Sequence, residues 1–305
     1  MATSTPRILL TGSNGQVGRA LRQTLSPLGK VLALDHSGLD LANADEVRST
    51  VRKLQPTLIV NAGAYTAVDR AESEPELAMS VNGVAPGILA EEAKRLNAVL
   101  LHYSTDYVFD GLKPTFYIES DIPNPLNVYG KTKLAGEKAI QAVGTAHYIL
   151  RTSWVYSANG NNFMNTMLRL GYERPELRVV NDQTGAPTWA ATIANMTADI
   201  LQFAKDHPED PNHGLYHLTA RGSVTWFGFA QAIFAEAERL LGLKPPQLVP
   251  ITTAEYPTPA QRPTNSRLGC AKLESLTGIQ MPAWLDELAK CLREKRNIIQ
   301  HGTAA

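Results

Sequence analysis

From Arg7 onward the chain alternates short apolar runs with longer stretches of helical periodicity, and this alternation restricts the fold more than any single motif. RILLTG reads as a buried strand, residues 15–28 as a helix ending near Gly29, and KVLALD as a second strand. ADEVRSTVRKL reads as a helix stopped by Pro56, and TLIVNAG as a third strand. Residues 76–96 are predicted helical with a boundary or kink at Pro86, AVLLHYST is strand, residues 129–143 are helix, and HYILRTSWVY is strand again. Strands this short, separated by helices of this length, predict an α/β fold. It is a Rossmann-like, doubly wound parallel sheet with helices on both faces.

The second half is less regular. NDQTGAPTW, HPEDPNHG and EYPTPAQRPTNSRL are rich in Pro, Gly and Asn and predict loops, with helical stretches at 190–203, 225–241 and 284–296 between them. The expected division is a dinucleotide-binding domain over 1–155 and a smaller substrate-binding lobe, interleaved with the sheet, over 156–305. The 29 basic residues balance the 29 acidic ones, which argues against nucleic-acid partners and against a polybasic membrane surface. No apolar run approaches the length of a membrane span. The opening MATSTPRILLTG lacks the apolar region and cleavage site of a secretory signal, and Cys270 and Cys291 show no metal-type spacing. A cytoplasmic protein with reduced thiols is expected.

Directly after the first strand comes TGSNGQVG. Gly12 suits the sharp turn, Gly15 lets the backbone approach a pyrophosphate, and Gly18 lets the helix lie close to the strand. The helix that starts here offers unpaired N–H groups and a positive dipole end to an anion. Asp35 closes the second strand near the offset at which a carboxylate accepts from the adenosine ribose. A carboxylate there favours NADH over NADPH, although a strand-end acid or a helix cap reads equally well. Asp40 and Leu41 follow, placed to meet the adenine. Gly63 and Ala64, at the end of the third strand, are small enough for a cofactor to lie across the strand ends.

The fourth strand ends in HYSTDYVFDG, which sets Ser104, Thr105 and Asp106 at the same carboxyl edge. NVYGKTKLAGEK then places Tyr129 and Lys133 four residues apart, neighbours on one helix face. Such a pair on a lysine-rich helix also fits an ordinary solvated surface. Beside a glycine cradle and a strand-end hydroxyl it fits a proton donor, with an ammonium that lowers the phenol pKa from its usual value and reaches the nicotinamide ribose. These parts, in this order, resemble the short-chain dehydrogenase/reductase superfamily.

The blocks TGSNGQVGRAL, VNAGAYTAVDRAESEPELA, HYSTDYVFDG, PLNVYGKTKLAGE, RTSWVY, NNF, NDQTGAPT, GLYHL and RPTNSRL cover nearly the whole chain. Together they resemble the dTDP-4-dehydrorhamnose reductase family of the extended branch of that superfamily. The resemblance implies reduction of the C4 ketone of dTDP-4-dehydro-6-deoxy-L-mannose to dTDP-L-rhamnose with NADPH or NADH. It implies Thr105, Tyr129 and Lys133 as the catalytic set and adds Gln16, Val17, Tyr65 and Thr66 to the cofactor contacts. Thr105, Asp106 and Trp154 would meet the sugar, though Trp154 also reads as a core aromatic at a strand end. Arg262 and Arg267 read either as a clamp on the substrate diphosphate or as surface arginines. Some family members are dimers bridged by magnesium through glutamates near GAPT. Here that segment continues WAAT, with Ala190 and Ala191 and no acid, so no metal is expected, and a homodimer is only allowed for. Two rival readings are a nucleotide-sugar epimerase that keeps its NAD and a non-catalytic regulatory subunit of the methionine adenosyltransferase β type.

Overall fold

The computed structural model describes residues 5–207 and 212–302, so residues 208–211 of the predicted loop HPEDPNHG lie outside them. Strand β1 (Arg7–Thr11) presents four consecutive buried side chains, as a strand covered on both faces must. It is followed by α1 (Gln16–Thr24), β2 (Lys30–Ala33), α2 (Ala44–Leu54) and β3 (Leu58–Asn61). Helix α2 begins where the Asn43 side chain accepts from the Glu46 N–H. It ends where Gln55 turns left-handed at φ 47°, one residue before Pro56.

The stretch predicted as one helix over 76–96 is in pieces. After α3 (Val68–Ala71) come α4 (Pro75–Met79), a π-helical turn over Ser80–Val84, and α5 (Ala85–Leu96). Pro86 has no N–H to donate to the preceding turn, and the backbone widens just ahead of it. Then come β4 (Val99–Thr105), α6 (Val128–Val143) and β5 (His147–Thr152). Helix α6 is capped by Asn127, whose Oδ1 accepts from the Gly130 N–H at 2.8 Å, and it stops at Gly144, φ 67°.

The predicted strand HYILRTSWVY is also broken. It ends at Thr152, Trp154 takes φ 48°, and β6 (Val155–Tyr156) departs in a new direction. Next are α7 (Phe163–Glu173), β7 (Glu176–Val180), β8 (Thr184–Gly185), β9 (Thr188–Trp189) and α8 (Ala190–Asp206). The chain closes with β10 (Gly214–His217), β11 (Val224–Thr225), α9 (Trp226–Leu241), β12 (Gln247–Ile251), α10 (Ala271–Thr277) and α11 (Trp284–Gly302). Helices α8, α9 and α11 fall where the periodicity predicts them; α7 and α10 are additional.

Six strands form one parallel sheet in the order β2-β1-β3-β4-β5-β10. The second half therefore returns to the sheet, with Gly214 opposite Tyr148 and His217 opposite Arg151. Helices α1 and α8 cover one face, where Leu21, Ile193, Met196 and Ile200 share a core with Ile8 and Leu10 of β1. Helices α2, α5 and α6 cover the other, packing Val47, Val51, Leu89 and Ile140 on Leu9, Ile59, Leu100 and Ile149. Each such aliphatic side chain contributes about 1.5–3 kcal/mol by leaving water. The second lobe has its own core, in which Met164 and Leu168 of α7 meet Phe229, Ile233 and Phe234 of α9 and Leu288 and Leu292 of α11. Among the described residues no helix is long and apolar enough to cross a membrane, and both cysteines are free. From β1 the chain proceeds to β2 on one side and later to β3 on the other. The crevice at their carboxyl ends is the switch point where such sheets bind ligands.

Candidate active site

At that switch point the backbones of two strand ends touch. Gly12 sits at φ 63°, and a Cβ on it would stand 2.5 Å from the Gly63 Cα, so both the conformation and the contact demand glycine. A cleft of about 690 Å³ opens above this contact, along the carboxyl ends of β1, β3 and β4. Every residue read as a cofactor contact lines it: Gly12, Gly15, Gln16, Val17, Asp35, Asp40, Leu41, Ala64, Tyr65, Thr66, Tyr129 and Lys133. Gly15 is the N-cap of α1 and adds no side chain between the cleft and the first turn of the helix, where free N–H groups favour an anion. Glycine-floored strand ends beside a helix N-terminus fit a dinucleotide.

The Asp35 carboxylate is engaged by its own turn. It accepts from Ser37 Oγ at 2.7 Å, from the Ser37 and Gly38 N–H groups and from Asn14. The Ser37 hydroxyl foremost, with the backbone N–H groups, holds its pKa below the usual carboxylate value. Gln16 reaches across to the second lobe, accepting from Ser157 Oγ and from Asn162 Nδ2, both at 2.9 Å. The two lobes are thus tied at the cofactor loop.

Tyr129 stands in the first turn of α6, half-buried and lining the cleft. The helix gets this close to the loop after β4 because residue 130 is glycine: a Cβ there would collide with the Tyr107 carbonyl oxygen. The Tyr107 ring meets the Tyr129 ring edge-on, with centroids 5.6 Å apart. Withdrawal from water pushes the Tyr129 phenol up to about 12, opposed by its hydrogen bond with Thr105 and reinforced by the charge of Asp106. The sequence reading has Lys133 lowering this phenol; burial raises it instead, and Lys133, which shares the cleft wall, also bonds to β4. Lys133 Nζ donates to the Tyr103 carbonyl at 2.5 Å, and burial brings the lysine down to about 8 against the opposing pull of Glu137.

Thr105 and Asp106 do not line the cleft wall but lie directly behind Tyr129, 5% and 2% exposed. Thr105 Oγ1 donates to Asp106 Oδ1 at 2.9 Å and accepts from the Tyr107 N–H at 3.1 Å. Burial lifts Asp106 to about 6, opposed by hydrogen bonding with Ser266 and Thr105. Trp154 stacks on Trp226 of α9 with centroids 3.4 Å apart and planes 7° from parallel, joining the sheet to the second lobe. Both arginines of the proposed clamp are already held. Arg262 makes a two-pronged ion pair with Asp69, and Arg267 is bound to Asn265 and the Pro114 carbonyl.

Two buried groups escaped the sequence reading. Asn82, inside the π-helical turn, binds both backbone groups of Tyr65 and also Thr132 of α6. The kink foretold by Pro86 was the only signal for it. Glu137, one turn beyond Lys133, pairs with Arg151 of β5 through bonds of 2.8 and 2.6 Å and accepts from Ser104 Oγ at 2.5 Å. In the sequence it reads as one more acid on a charged helix.

Three comparisons bear on this geometry. The family model of the RmlD substrate binding domain matches residues 6–297. Two dTDP-4-dehydrorhamnose reductases are close relatives. That of Shigella flexneri is 47% identical over 292 residues, 94% of this chain and 97% of its own. That of Salmonella typhimurium is 49% identical over 282 residues, 91% and 94% of the two chains. The crystal structure of the Bacillus anthracis enzyme of the same name, in complex with NADP, superposes with a TM-score of 0.88 at 36% identity and covers 95% of this chain and 99% of that one.

Proposed function

We propose, since the chain belongs to the family of the RmlD substrate binding domain and the dTDP-4-dehydrorhamnose reductases, that it reduces the C4 ketone of dTDP-4-dehydro-6-deoxy-L-mannose to dTDP-L-rhamnose. The observation that carries this reading is the placement of Tyr129, hydrogen-bonded to Thr105 and one turn from Lys133, on the wall of the glycine-floored cleft. NADPH or NADH supplies the hydride when bound. The glycine loop of Gly12 and Gly15 with Gln16 and Val17 holds the pyrophosphate, Asp35, Asp40 and Leu41 the adenosine, and Ala64, Tyr65 and Thr66 the nicotinamide half. Lys133 binds the nicotinamide ribose.

Negative charge develops on the sugar O4 during reduction. Tyr129, a phenol still protonated throughout the neutral range, gives its proton to that oxygen as general acid. Thr105, whose one hydroxyl proton is held by Asp106 in this structure, would turn it to the same oxygen and keep that oxygen at the phenol. Trp154, half-exposed, would meet the sugar ring, and Asp106, buried behind the phenol, would reach it only on turning from Thr105. We infer a cytoplasmic location for the reaction. Residues 1–155 carry most of the cofactor site and 156–305 most of the substrate lobe, apart from α8 and β10, which return to the sheet. The test is reductive turnover: NAD(P)H consumed against dTDP-4-dehydrorhamnose made in situ, with dTDP-rhamnose as product.

Two further expectations belong to the same reading. Asp35→Ala weakens NADH binding by about tenfold, the worth of a hydrogen bond to a charged group, and NADPH binding less. Equal losses in titrations of the two cofactors would remove Asp35 from the ribose. Exhaustive treatment with EDTA leaves turnover unchanged, because proton donation by a phenol needs no Lewis acid. A rate that collapses and returns with magnesium would contradict this.

A further inference from the structure

Behind Lys133, on the side away from the cleft, polar side chains from three adjacent strands stand in line. Lys133 Nζ lies 3.3 Å from His102 Nε2 of β4. His102 Nδ1 lies 3.0 Å from Asn61 Nδ2 of β3, and Asn61 Oδ1 accepts from Thr11 Oγ1 of β1 at 2.6 Å. Thr11, Asn61 and His102 are each 1% exposed and Lys133 is 2% exposed. Packing alone does not call for such an array, since apolar residues of like shape fill a core without the cost of burying polar groups.

The hydrogen-bond directions carry information. An amide N–H only donates, so His102 Nδ1 accepts, the ring proton sits on Nε2, and Nε2–H points at Lys133 Nζ. That direction suits an amine with a free lone pair. Turning the Asn61 amide over reverses the bonds along the array, and the Thr11 hydroxyl, which also accepts from the Gly63 N–H at 3.3 Å, gives up its bond to Oδ1. Lys133 then donates to Nε2, Nδ1–H donates to Asn61 Oδ1, and Asn61 Nδ2 donates to Thr11 Oγ1. This second direction suits an ammonium.

We propose that Thr11, Asn61 and His102 form a two-way hydrogen-bond chain that positions Lys133 and selects its charge. His102 is the positioning residue in direct contact with the lysine. The inference rests on the reading of Lys133 as a cofactor-binding group. Other groups bear on the pair. From α6, Glu137 favours the ammonium but is held by Arg151 of β5, and Tyr129 is a neutral phenol. From β4, the Tyr103 phenol is bound to Thr197, and the neighbours on β1 and β3 do not titrate. Burial, helped by the charge of Lys133, keeps His102 neutral, well below its ordinary value. With Lys133 brought to about 8, both directions are reached near neutral pH.

The test measures NADPH dissociation constants by cofactor fluorescence, and kcat/KM, from pH 6 to 10 in wild type, His102→Leu, His102→Gln and Asn61→Asp. Wild-type binding weakens as pH rises through about 8, where the ammonium is lost. Asn61→Asp makes residue 61 an acceptor only, which fixes Nδ1–H and leaves Nε2 to accept from the ammonium; the break moves up by about one pH unit. His102→Leu removes the acceptor and moves it down by about one unit. The amide carbonyl introduced by His102→Gln can accept from Lys133 and returns the break toward wild type. Variants that weaken binding evenly, with the break unmoved, would make the array structural and overturn the proposal. If His102→Leu does not fold, Asn61→Asp is read in a His102→Phe background, where a shift relayed by the imidazole disappears; a shift that persists comes from the added charge alone and overturns the proposal. A pH break that moves as described in an enzyme that does not reduce dehydrorhamnose would sink the functional reading and leave the chain standing. Active variants with an unmoved break would sink the chain alone.

Discussion

Tyr129→Phe is expected to lower kcat by roughly two or more orders of magnitude while leaving NADPH affinity nearly unchanged. The substitution keeps the ring, and with it the edge-on contact to Tyr107, and removes only the hydroxyl bonded to Thr105. Loss of a general acid is a loss in the transition state alone, so kcat and kcat/KM fall together. Lys133→Met differs, since it removes the group assigned to the ribose: the Kd for NADPH rises as kcat falls. Steady-state kinetics with a fluorescence titration separates the two. A Tyr129→Phe enzyme with near wild-type kcat, where chemistry limits turnover, would assign the proton to another donor. Asp106, buried behind the phenol and raised to about 6, is the next candidate.

The second large effect concerns stability. Glu137 and Arg151 are 2% and 3% exposed at the side chain and pair across α6 and β5 through Arg151 Nε and Nη2. Glu137→Leu leaves the guanidinium buried without a counter-charge and orphans Ser104 Oγ, and about 3–5 kcal/mol of stability should be lost. The double variant Glu137→Leu with Arg151→Leu should recover most of it, because apolar replacements of a buried pair are often neutral or better. Urea midpoints of the singles and the double measure this. A single variant as stable as wild type would mean the pair is relaxed by water.

What was legible in the sequence was what short-range chemistry dictates. Gly12 had to make a turn at the carboxyl end of the first strand, and Tyr129 and Lys133 had to share the first turns of a helix. What was not legible depended on partners distant in the chain. GLYH is a four-residue run that becomes β10 only because the edge of β5 is there to pair with it. RTSWVY reads as continuous strand, but Trp154 turns left-handed to stack on Trp226, which belongs to another helix. Helix α7 carries Gly171 in its interior, and its apolar face counts only once α9 is seen opposite, where the Phe234 ring leaves no room for a Cβ on that glycine. Arg262 looked free for a diphosphate because nothing in the local sequence announces Asp69 as its partner.

The central claim is that this cleft delivers hydride and proton to C4 of a dTDP-linked keto sugar. It is tested most directly with NADPH deuterated at nicotinamide C4, dTDP-4-dehydrorhamnose generated in situ, and product analysis by NMR and mass spectrometry. The expected result is one cofactor oxidised per sugar reduced, with deuterium found at C4 of dTDP-L-rhamnose when the transferable position is labelled. Substrate recovered unreduced, or a sugar isomerised with no net consumption of NADPH, would contradict it.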